Sequence, residues 1–90
     1  MITSLDLLNQ LKVEKQLLSN RQVAVFLGIN HMTVNRIVKG GVWSDELACI
    51  IAQELELDVD LVLLAIISER CNNERVTDAI EDALEKRNLA

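Results

Sequence analysis

The chain has no proline and no tyrosine, and its only aromatic residues are Phe26 and Trp43. A proline-rich linker is therefore absent. Histidine occurs once, at His31, and cysteine twice, at Cys49 and Cys71, with no CxxC pair. That inventory excludes a zinc site of ordinary ligand spacing and leaves the cysteines as small hydrophobes within helical patterns. No long apolar run is present either. The longest, Leu61 to Ile67, falls far short of the roughly 20 residues a membrane-spanning helix needs. The opening "MITSLDLLNQ" has neither a basic region before its apolar residues nor a cleavage-type site. No signal peptide or membrane partner is expected, and a cytoplasmic location is. No nucleophile–base pair, metal cluster or P-loop is visible, so neither an enzyme nor a cofactor is expected.

Basic residues are scarce, nine against fourteen acidic, for a net charge of -5. The imbalance is uneven. Residues 1–41 carry five basic and two acidic side chains, a net +3, whereas residues 42–90 carry four and twelve, a net -8. Such an asymmetry separates a face suited to nucleic acid from another surface.

What is abundant is Leu, Ile, Val and Ala. Half of the 90 residues are hydrophobic, enough for one modest core, and the composition suits helices packed on helices. No strand-like alternation occurs. A first helix is expected over Leu5–Leu18, capped by Thr3 or Ser4, with Leu5, Leu7, Leu8, Leu11 and Leu18 supplying its apolar width. Ser19 or Asn20 caps a second, Arg21–Leu27, which Gly28 ends. Asn30 caps a third, His31–Lys39, ended by Gly40 and Gly41. Ser44 starts a fourth, with a stripe of Leu47, Ile50, Ile51, Glu54 and Leu55. Asp58 starts a fifth, Val59–Cys71, and Asn72 or Asn73 a last one, to about Arg87, along Val76, Ala79, Ile80, Ala83 and Leu84. The fold class is an all-α, compact bundle of five or six short helices.

Residues 20–40, "NRQVAVFLGINHMTVNRIVKG", meet the size requirements of a helix-turn-helix. Two helices that cross steeply need a small residue at the crossing, which Ala24 supplies. The turn needs a residue that tolerates positive φ, which Gly28 supplies four positions later. Val23, Leu27, Ile29, Val34 and Ile37 anchor both helices to the core.

The stretch resembles the helix-turn-helix of Cro/repressor-type (XRE-like) regulators of phages and bacteria. "LGI" before a helix ending in "KG" is typical of that family, "SDELACIIAQELELD" resembles its following helix, and "VLLAIISERCNN" is similar to small phage-related members. The likeness covers roughly residues 5–73. It implies a lambda-repressor-like bundle with the helix-turn-helix domain at 1–71, followed at 72–90 by an acidic amphipathic helix packing on the domain or on a dimer partner. It also implies double-stranded DNA as partner and a role as a small phage or prophage-type regulator, a repressor by analogy. His31, Met32, Thr33, Asn35 and Arg36 would then reach base edges, Asn35 by pairing bidentately with adenine. Asn20, Arg21, Gln22 and Lys39 would contact phosphates, and the glycines at 40 and 41 would let backbone approach DNA.

The segment 59–67 is apolar nearly all round, more than a surface helix in a small domain needs. Either the last helix or a second subunit covers the surplus. A symmetric homodimer using Leu61, Leu64, Ile67, Ile80 and Leu84 is expected. The acidic surface and that same surplus also fit an adaptor that keeps the fold without DNA activity, such as an anti-repressor or antitoxin-like module. Asp45 and Glu46, at a helix start expected to lie near a phosphate strand, would repel DNA if they point outward.

Overall fold

Six short polar side chains start six helices. In the computed structural model, which describes residues 1–89, these are α1 (Ser4–Glu14), α2 (Asn20–Leu27), α3 (His31–Val38), α4 (Asp45–Glu54), α5 (Val59–Cys71) and α6 (Glu74–Leu89). Thr3, Ser19, Asn30, Ser44 and Asp58 each accept a hydrogen bond from a first-turn backbone N–H, and Asn73 does the same for Arg75 and Val76. Thr3 and Asp6 complete a reciprocal capping box. The all-α class and the six-helix count agree with the expectation above, and no strand occurs among the described residues. None of their helices is long and apolar enough to cross a membrane.

The stops are as local as the starts. At Gly28 the chain turns left-handed (φ 70°), and Ile29 N–H reaches back to the Ala24 carbonyl at 2.9 Å. Gln16 and Glu56 make the same turn without being glycine (φ 55° and 57°), followed by Leu17 N–H to Lys12 O and Leu57 N–H to Ala52 O. The first of these corrects the expected end of α1. The helix stops at Glu14, not Leu18, because the turn at Gln16 swings Leu17 onto the core and leaves Leu18 88% exposed.

The core gathers Leu7, Leu8 and Leu11 of α1, Val23 and Ala24 of α2, Val34 and Ile37 of α3, Ala48, Ile51 and Ala52 of α4, and Val62 and Ile66 of α5. The stripe on α4 is therefore rotated from the expected one. Ala48 and Ala52 face inward, while Ile50 and Glu54 are exposed. Leu5 is likewise exposed. On α6 the half-buried seam is Val76, Thr77, Ile80 and Leu84, and Ala79 and Ala83 face out.

Trp43, in the α3–α4 connection, is the largest fully buried side chain. Its indole N–H donates to the Ser4 carbonyl (3.0 Å) and its backbone N–H to Ser4 Oγ (3.1 Å). Ser4 N–H and Oγ–H in turn donate to Glu69 Oε1 of α5 (2.8 and 2.9 Å). The Trp43 carbonyl accepts from Arg70 (3.0 Å), which also pairs with Asp45 (2.9 Å). Ser4 is thus a buried junction, not the cap of α1.

Three substitutions test the buried junction and the helix stops. Ser4→Ala removes the hydroxyl that accepts from the buried Trp43 backbone N–H and donates to Glu69 Oε1, and is expected to cost about 1–3 kcal/mol in urea unfolding followed by Trp43 fluorescence. Gln16→Gly removes a left-handed strain and is expected to raise stability by about 0.5–1 kcal/mol, while Gly28→Ala lowers it by about 1–2 kcal/mol.

Candidate nucleic-acid interface

The turn Gly28-Ile29-Asn30 joins α2 to α3, and the two helices pack on each other. Ala24, 3% exposed, and Val23 hold α2 to the core, and Val34 and Ile37 hold α3. Burying those two residues of α3 fixes what its opposite face presents. Met32, Asn35, Arg36 and Lys39 fall at i, i+3, i+4 and i+7 on one strip, with Met32, Arg36 and Lys39 exposed and Asn35 half-buried. Met32 is 63% exposed, although large apolar side chains usually find cover. His31 lies exposed at the edge of the strip.

Thr33 is placed differently from its expected companions. It is half-buried and lines a groove of about 470 Å³ with Arg36, Val42, Trp43, Ser44, Asp45 and Arg70. The groove separates α3 from the start of α4, so Thr33 flanks the strip and does not sit on it.

At the start of α2 the expected phosphate contacts separate. Arg21 is exposed, and among the described residues Arg21, Arg36 and Lys39 form no ion pair. Gln22 spends its side-chain oxygen on Leu18 N–H (2.6 Å). Asn20 is a correction. Its side chain turns inward, with Nδ2 donating to Asn35 Oδ1 at 3.2 Å and Oδ1 buried without a partner, so it does not offer itself to a phosphate. Comparison with family models, with curated proteins and with solved structures finds no match.

Two further residues belong to this region and carry no local sequence signal. Arg70, on α5, neutralises Asp45 at the mouth of the groove. The repulsion expected from that carboxylate is thereby offset, while Glu46 stays exposed. Gly41 has an internal role. A Cβ there would lie 2.8 Å from the Arg36 carbonyl, so the glycine lets the chain close against the end of α3 before any question of DNA approach.

The expected dimer residues also divide. Leu61 and Leu84 line one apolar crevice with Met1, Ile2, Leu57, Val62 and Ala65, within the chain. Leu64 and Ile80 are half-buried. Ile67 remains 39% exposed. The last helix supplies part of the cover, through the Ser68–Thr77 hydroxyl pair and the Arg87 contacts to Asp58 and Asp60.

Because Met32 and Arg36 contribute no core contact, Met32→Ala and Arg36→Ala are expected to change unfolding free energy by no more than about 0.5 kcal/mol. Urea denaturation of each variant checks this. It makes any loss of ligand binding in them attributable to the surface.

Proposed function

We propose that the chain is a small transcriptional regulator that binds operator DNA, with α3 lying in the major groove. One observation carries this reading. The exposed strip of α3 combines hydrogen-bonding, apolar and cationic side chains, and its cations are uncommitted to any acid. Arg36 suits guanine and Met32 the thymine methyl, while Arg21 and Lys39 suit phosphates on either side. The free backbone N–H groups of Asn20 and Arg21, at the positive end of α2, add to the phosphate side. The resemblance of residues 20–40 to Cro/repressor-type regulators supports the same partner and points to a phage or prophage setting, to repression and to a cytoplasmic location.

The three unpaired cations of this surface, Arg21, Arg36 and Lys39, supply little phosphate neutralisation. We therefore place the DNA-binding form as a homodimer, with two recognition helices on a palindromic site. Ile67 and the outer side of Leu64 are the apolar surface of α5 left for that contact. A second reading, the protein-binding adaptor, is favoured by another surface. Leu17, Arg21, Gln22, Val25 and Phe26 line an open groove at the α1–α2 elbow, and Leu18 and Val25 are 88% and 78% exposed.

Fluorescence anisotropy with duplex DNA from upstream of the chain's own gene separates the two. The regulator reading expects sequence-selective binding that Arg36→Ala abolishes. Its salt dependence should have a log–log slope of about -5 for a dimer that neutralises six phosphates. A folded protein that binds no duplex at low salt contradicts it and leaves the adaptor.

A further inference from the structure

Helix α2 has an outer face that is largely apolar. Val23, Ala24 and Leu27 pack into or against the core, which turns Arg21, Gln22, Val25 and Phe26 to solvent. A surface helix ordinarily gives such outward positions to polar side chains. Leu18, also exposed, stands at the head of this face and is held there. Its backbone N–H donates to Gln22 Oε1 at 2.6 Å. Beside these residues lies the open groove of the α1–α2 elbow, about 620 Å³, with Leu17, Arg21, Val25 and Phe26 in its lining. Three large apolar side chains left in water around one groove mark a surface that a partner covers.

The charge of the groove selects the kind of partner. Arg21 is its only charged lining residue, and it forms no ion pair among the described residues. No carboxylate lines the groove. A second copy presenting the same face would set Arg21 against Arg21 with no acid to offset them. A nucleic-acid backbone would satisfy Arg21 but leave Leu18, Val25 and Phe26 uncovered. A helix with an apolar stripe and flanking Asp or Glu satisfies both demands. Arg21 and Val25 are one turn apart on α2, so cation and apolar anchor lie side by side.

We propose that the α1–α2 elbow is a docking site for an acidic amphipathic helix of another protein. The apolar stripe of that helix covers Leu18, Val25 and Phe26, and one of its carboxylates pairs with Arg21. A further consequence rests on the DNA reading above, whereas the docking itself does not. Arg21 is also a phosphate contact in that reading, so one cation serves two partners. The docked helix takes Arg21 from the phosphate and releases the operator.

The test is selection of randomised peptides, long enough for several helical turns, on the immobilised full chain. The enriched peptides are then synthesised and their binding measured by fluorescence anisotropy. They are expected to carry apolar residues at helical spacing with an excess of Asp and Glu. The double variant Leu18→Ser/Val25→Ser is expected to bind them at least about tenfold more weakly. Both side chains face solvent, so the fold is kept, and thermal melting checks this. Arg21→Glu, an acid in the first turn of α2 that the helix end tolerates, is expected to prefer the same peptides with Lys in place of Glu. A selection that enriches nothing, or enriches neutral or basic peptides, overturns the docking site. So do acidic peptides that bind the double variant as tightly as wild type. Sedimentation of the chain alone adds one outcome. Self-association that the double variant abolishes assigns the groove to a second copy and overturns the proposal. In the last arm an enriched peptide is titrated into the complex of the chain with duplex. It is expected to release the duplex from wild type and not from the double variant, which itself keeps binding DNA. Peptide and duplex held together on one chain overturn the competition. A wild-type chain that binds peptide but no duplex contradicts the DNA reading alone and leaves the docking site standing.

Discussion

Trp43 is held at every polar atom it has, and the rest of the molecule is arranged around that fact. Its indole and backbone N–H groups both end on Ser4, and its carbonyl ends on Arg70. A buried N–H without a partner is costly, so these bonds tie three distant segments to one geometry. The start of α1, the α3–α4 connection and the end of α5 meet there. The connection follows α3 directly, so fixing Trp43 also fixes where α3 leaves the core and how its outer strip is presented. Gly41 completes the closure by letting the chain pass against the Arg36 carbonyl.

The same knot bears on charge. Asp45 opens α4, where a carboxylate favours the positive helix end. Left alone, it would also stand beside the α3 groove as a repulsive charge. Arg70 removes that conflict by pairing with Asp45 while it holds the Trp43 carbonyl. Elsewhere Arg87 of α6 pairs with Asp58 and Asp60, and Lys86 with Asp82. The cations of α2 and α3 are not paired. An acidic chain thus keeps a small uncommitted cationic surface, which is what a weak, salt-sensitive contact with phosphates requires.

Much of this was legible from sequence, and the reason is local. Ser19, Asn30, Ser44 and Asp58 announce helix starts because their side chains bond the backbone within three residues. Gly28 announces a stop because it tolerates positive φ. The misses are all non-local or chemically silent. Gln16 and Glu56 adopt the left-handed turn with no glycine to mark it. On α4 two alanines, Ala48 and Ala52, face the core in place of Ile50, and an apolar pattern does not distinguish the two faces. The sequence leaves the surplus on α5 to either the last helix or a second subunit, and Leu84 of α6 reaches the same crevice as Leu61. The strip on α3 was visible from its spacing. The partner of Asn35 was not, since it lies fifteen residues away on another helix.

The central claim is that the surface built from the start of α2 and the outer strip of α3 is where double-stranded DNA binds. Amide chemical-shift mapping reports this residue by residue, with isotope-labelled protein titrated by a duplex carrying its selected sequence. The account predicts shifts concentrated in residues 20–22 and 31–41, reversed by added salt, with α5 and α6 perturbed only where a dimer forms. Shifts centred on the α1–α2 elbow or on α6, with the α3 strip unmoved, would contradict it.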